Sequence, residues 1–167
     1  MTQEPLIAFD YKAVLQVLQD HQLRFLLIGG LNYFLAHQAV ATQDIDIFIE
    51  DNLENNDICE SALVELQAEW GKTDADWGPV SEKMPGWMES QSIYCMLTKH
   101  GPIDVFRTVP GIESFEQAWQ RSVVLELSDS LRVRLLSAQD LLDCQLAIPE
   151  ACRRLDRIVY LKKILQK

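Results

Sequence analysis

Two carboxylates one residue apart, Asp44 and Asp46, interrupt the apolar run Thr42-Gln43-Asp44-Ile45-Asp46-Ile47-Phe48-Ile49. A strand sends alternate side chains to opposite faces, so this spacing puts both acids on one face and Ile45 and Ile47 on the other. Like charges on one face repel, and a divalent cation offsets that cost; oxygen ligands of this kind suit magnesium. A third acid, Asp104, interrupts a second short apolar run, Ile103-Asp104-Val105-Phe106. A third carboxylate from a neighbouring strand is what a site for two magnesium ions needs. Ahead of these runs, Phe25-Leu26-Leu27-Ile28 stops abruptly at Gly29-Gly30. A turn bare of side chains lets backbone N–H groups approach a phosphate closely. Asn32 and Thr42 are placed either to hydrogen-bond phosphates and position the acids, or to serve as ordinary helix-start and turn residues. Together these residues point to metal-assisted phosphoryl chemistry.

The elements that must hold them are mixed. Tyr11, Val14, Leu15 and Leu18 recur at helical spacing and predict an amphipathic helix over 9–20. A strand over 23–28, a helix over 31–38 packed into the core, and a strand over 42–49 follow. A helix over 52–70 presents Ile58, Ala62, Leu66 and Trp70, with Asn52 or Asn55 as its cap. Between Gly71 and Ser90 the pattern breaks down among glycines, prolines and the tryptophans Trp77 and Trp87. These rings either form a lid or stacking surface, or close over the core. Strands over 92–98 and 103–106 flank the His100-Gly101-Pro102 turn, and a short helix spans 112–120. A second hairpin covers 123–135, and helices follow over 138–148 and from Pro149 onward. The expected fold is α/β, a mixed and strongly twisted sheet with helices mainly on one side. A catalytic domain spans 1–136 and C-terminal helices at 137–167 pack on it.

The glycine pair, Asp44-Ile45-Asp46-Ile47 and the later Ile103-Asp104-Val105 resemble the nucleotidyltransferase superfamily of the DNA polymerase β type. Within it the chain looks most like the minimal nucleotidyltransferases and the abortive-infection toxin enzymes. The order of elements over 23–165 also resembles theirs, including Pro110-Gly111, the hairpin around Ser130 and Leu136-Ser137-Ala138. The resemblance implies that Gly29 and Gly30 hold a triphosphate, that Asp44 and Asp46 bind both magnesium ions, and that Asp104 completes the site. It implies transfer of a nucleoside monophosphate from a nucleoside triphosphate to a hydroxyl, on an RNA end, a protein side chain or a small molecule. Asp104 is the candidate base. The chain departs from this pattern where relatives carry positive charge. Val40 stands in place of a basic residue and Gln145 in place of a lysine, and Leu155-Asp156 is followed by Val159 rather than a further Asp. Arg107, Arg153, Arg154 and Arg157 are the candidates to restore that charge, or else form a solvated surface. Two alternatives follow. One is a weak or inactive nucleotidyltransferase fold serving as a binding module, such as half of a toxin–antitoxin pair. The other is a small Asp-x-Asp glycosyltransferase.

Composition narrows the field. Fifteen basic against 25 acidic residues give a formal charge of −10 over 167 residues, which argues against broad charge-driven nucleic-acid binding. Cys59, Cys95, Cys144 and Cys152 are widely separated and read as reduced thiols. The histidines His21, His37 and His100 lack ligand spacing. No signal peptide and no apolar run near the roughly 20 residues of a membrane span are visible, so a cytoplasmic location is expected. Without a Gly-x-x-x-x-Gly-Lys or a Gly-x-Gly-x-x-Gly run, ATPase and dinucleotide-binding readings lack support.

Overall fold

The computed structural model describes residues 9–37 and 42–166. Eight strands form one mixed sheet in the order β4-β3-β5-β6-β2-β1-β8-β7. They are β1 (Phe25–Ile28), β2 (Ile45–Ile49), β3 (Glu69–Trp70), β4 (Gly78–Pro79), β5 (Ile93–Thr98), β6 (Gly101–Phe106), β7 (Val123–Ser128) and β8 (Leu131–Leu135). The helices are α1 (Tyr11–Asp20), α2 (Gly29–His37), α3 (Leu53–Glu65), α4 (Phe115–Arg121), α5 (Ala138–Ala147) and α6 (Leu155–Leu165). Pairing is parallel between β2 and β6 and between β1 and β8, and antiparallel elsewhere.

Side-chain alternation divides the core in two. Phe25 and Leu27, Ile45, Ile47 and Ile49, and Ile103 and Val105 pack with α1 and α3. Leu26, Ile28 and Phe48 pack on the other face, against Tyr33 of α2, Ala118 of α4, Leu141 and Leu142 of α5, and Ile158 and Leu161 of α6. Helices therefore cover both faces, rather than mainly one as expected. Central strand β1 is buried on both sides, which explains its unbroken apolar run. Side-chain caps start the helices where the sequence allows them. Asp10 accepts from the Ala13 N–H, Asn52 from Asn55, Ser114 from Gln117 and Ser137 from Asp140.

The third helix is shorter than its periodicity predicts. It ends near Leu66, because Gln67 takes a left-handed φ of 54° and the Ala68 N–H turns back to the Leu63 carbonyl. Trp70 consequently lies on β3, where its ring stacks on Trp87 at 5.5 Å and packs against Tyr94 at 5.0 Å. Trp87 thus closes over the core, while Trp77 remains more exposed and donates its indole N–H to Glu69. The strand expected from Thr42 begins at Ile45, so Asp44 stands just before it. Val40 lies outside the described residues. Among them, no helix is long and apolar enough to cross a membrane.

Candidate functional site

The parallel register of β2 and β6 sets Asp46 directly beside Asp104. The antiparallel register of β5 sets Cys95 beside Asp104 in turn. One row across three strands, Asp46–Asp104–Cys95, therefore lies on the face shared with Ile28 and Phe48. Its side chains interact. The Asp46 and Asp104 carboxyls are placed to hydrogen-bond to one another when one of them is protonated, and the Cys95 thiol is placed to donate to Asp104. Burial, then the negative charge of Asp104, then that hydrogen bond and Asp44, lift Asp46 from its ordinary value to about 7. Arg157 opposes the rise. Burial also raises Asp104, partly offset by the hydrogen bonds from Cys95 and Asp46.

The glycine pair is shaped by these neighbours. Gly29 has φ +69°, and a Cβ built on it would collide with the Asp46 carboxylate, so no other residue fits without displacing the acid. Gly30 lies against Thr42, whose Oγ1 would be 2.9 Å from an added Cβ, with Arg157 Nη2 3.7 Å away. α2 begins on this pair, so its first N–H groups, which lack intrahelical partners, open beside Asp46. A cavity of about 160 Å³ extends from there between the sheet and the C-terminal helices, bordered by Gly29, Asp46, Tyr33, Gln145 and Arg157.

The other residues singled out from sequence occupy distinct places. Asp44 is exposed and near enough for its charge to act on both strand acids. The Thr42 hydroxyl bonds the Asp44 carbonyl at 3.2 Å and accepts from its N–H at 3.3 Å, which fixes the turn into β2. Asn32 is fully buried, and its amide donates to the Leu27 and Leu136 carbonyls at 2.7 and 3.1 Å. Both amide hydrogens are committed to the backbone, so Asn32 braces the glycine turn, while its Oδ1 is buried without a hydrogen-bond partner among the described residues. Cys95 escaped notice in the sequence, although strand alternation alone places it on the face opposite Tyr94 and Met96, toward the acids.

The donor set is hard oxygen, and two half-buried acids side by side gain from a cation between them; both properties fit magnesium. Among the described residues, no group of three or more His, Cys, Asp or Glu side chains is already arranged to hold a metal ion. Asp46 and Asp104 are the facing pair, and Asp44 stands apart from them at the exposed lip.

In sequence, no family model and no curated protein matches the chain. Its fold matches solved structures. One is a candidate nucleotidyltransferase from Thermotoga maritima, with TM-score 0.54, 14% identity, and coverage of 93% of this chain and 90% of that one. Another is ANT(2'')-Ia in complex with adenylyl-2''-tobramycin, with TM-score 0.56, 13% identity, and coverage of 93% and 87%. At such identity the likeness is one of fold: the chain has a nucleotidyltransferase fold.

Proposed function

We propose that the protein is a magnesium-dependent nucleotidyltransferase, moving a nucleoside monophosphate from a nucleoside triphosphate onto a hydroxyl. The observation that carries this reading is the pairing of Asp46 with Asp104 across parallel strands, directly against the side-chain-free turn at Gly29. Asp46 and Asp104 would hold the metal, with Asp44 joining from the lip. Magnesium, when bound, would offset the charge that develops on the phosphoryl oxygens and make the acceptor hydroxyl easier to deprotonate. The N–H groups at Gly29 and Gly30 would receive phosphate oxygens. Asp104 would take the hydroxyl proton. The new O–P bond forms at the α-phosphorus as the bond to the β-phosphate oxygen breaks, and pyrophosphate leaves. Thr42 and Asn32 would act one step back, by holding the turn and the start of β2.

ANT(2'')-Ia was solved with a nucleotide joined to an antibiotic, adenylyl-2''-tobramycin. By that analogy, a small-molecule hydroxyl is the acceptor to test first, ahead of an RNA end or a protein side chain. The test is incubation with each labelled nucleoside triphosphate, magnesium and a panel of hydroxyl acceptors, read as labelled product and released pyrophosphate. Transfer that disappears on removing magnesium is the expected result. A folded protein that binds none of the four nucleotides would overturn the reading. A second reading, a binding module of the kind found in toxin–antitoxin pairs, is favoured by one observation. Gln145 lies at the cavity where relatives are expected to carry a lysine. Co-purification with a partner and no turnover would favour it.

A further inference from the structure

Four arginines were candidates to supply positive charge to the site, and the structure separates them. Arg107 is held by Asp51 through Nε and Nη2 at 3.0 and 3.2 Å, and by the Gln91 carbonyl. Arg153 closes the end of α5 by donating to the Ile148 and Leu146 carbonyls. Arg154 points to solvent, 3.6 Å from Asp156. Arg157 alone borders the cavity beside Asp46, and it is the one cation among the described residues that line that cavity.

Unlike Arg24, which also lies over an aromatic ring but pairs with Glu50 and Glu116, Arg157 forms no ion pair among the described residues. The guanidinium lies over the Tyr33 ring at 4.6 Å, and its Nε is buried without a hydrogen-bond partner among the described residues. The Tyr33 hydroxyl is buried and unpartnered in the same way. Each such group is destabilising when nothing accepts from it. Two unpartnered donors on side chains in contact, beside the glycine turn that starts α2, match a ligand that brings several acceptor oxygens. A guanidinium fork suits phosphate in particular, because two parallel N–H groups can meet two oxygens.

We infer that Arg157, assisted by the Tyr33 hydroxyl, anchors the outer phosphates of the nucleotide and makes the site selective for polyphosphate over monophosphate. This rests on the nucleotidyltransferase reading for the identity of the ligand, but not for the chemistry of the anchor. It assigns to the last helix the charge missing at Gln145, whose Oε1 instead accepts from the Arg154 backbone N–H at 2.8 Å.

The test is calorimetric titration of the full chain with AMP, ADP, ATP and inorganic tripolyphosphate in magnesium, repeated with Arg157→Gln, Arg157→Lys and Tyr33→Phe. In the wild type, affinity should climb from mono- to triphosphate. Arg157→Gln should weaken ATP and tripolyphosphate by about 30-fold, the scale of a charge-assisted hydrogen bond, and leave AMP nearly unchanged. Arg157→Lys should recover part of the loss. Tyr33→Phe should weaken triphosphate about fivefold while raising the melting temperature, a combination that a purely structural hydroxyl would not give. In turnover, Arg157→Gln should raise the KM for the nucleotide more than it lowers kcat. An unchanged climb in Arg157→Gln, or in Tyr33→Phe should the arginine variant not fold, overturns the inference. Transfer by the wild type with Arg157→Gln unaffected would sink the anchor and keep the enzyme. Arg157-dependent tripolyphosphate binding without any transfer would do the reverse.

Discussion

Asp140 and Asp46 lie on the same side of the sheet and receive opposite treatment. Asp140, at the start of α5, is 3% exposed and meets the Arg121 fork through both oxygens, at 2.9 and 3.0 Å. Its backbone N–H is capped by Ser137. Asp46 is the more accessible of the two, yet the neighbours it has are further acids, and Arg157 stacks on Tyr33 without forming an ion pair with it. A buried carboxylate without a cation is costly, and this chain supplies one where the role is structural. At Asp46 no ion pair is formed among the described residues, and the proposed function gives that place to a magnesium ion.

The sharpest way to break the contrast is to remove each acid's role in turn. Asp46→Ala should lower nucleotide transfer about 1,000-fold or more with the fold intact, measured as pyrophosphate release alongside circular dichroism. Gly29→Ala comes next. It forces a side chain into a left-handed φ and against the Asp46 carboxylate, and should cost about 3 kcal/mol of stability in urea denaturation. Arg121→Ala should cost about 2 kcal/mol by the same measurement. That is below the usual penalty for breaking a buried pair, because the Arg121 side chain is 48% exposed.

The smallest effect is also the most diagnostic. Asp46 has a folded pKa of about 7 against an ordinary 3.8, so between those values the folded chain keeps a proton that the unfolded chain has lost. Stability is therefore greatest below pH 3.8 as far as this group is concerned, and it falls as the pH rises through 7. Without metal, Asp46→Asn should raise the melting temperature at pH 8, and the difference should vanish near pH 4. Magnesium at pH 8 should raise the wild-type melting temperature and leave the variant unmoved. A destabilised Asp46→Asn at pH 8 would erase the distinction between the two acids.

Much of this site could be read from the chain because it obeys local rules. Alternation put Asp46 opposite Ile45 and Ile47, and the glycines marked the end of β1. The parallel register that brings Asp104 to Asp46 is a long-range fact, and the apolar runs around each acid are compatible with it without specifying it. Trp70 was misplaced because an apolar residue four past Leu66 continues a helical stripe, and the left-handed turn at Gln67 carries no glycine to announce it. The role of Asn32 stayed open between ligand contact and helix start because its two partners, at Leu27 and Leu136, are backbone carbonyls, which no side-chain pattern records. Arg157 was one of four arginines of equal standing, and only packing on Tyr33 tells it from the rest.

The Asn32 amide spans the ends of two neighbouring strands, tying the last turn of β1 to the exit of β8. The glycine bend and the entrance to α5 must consequently shift as one piece.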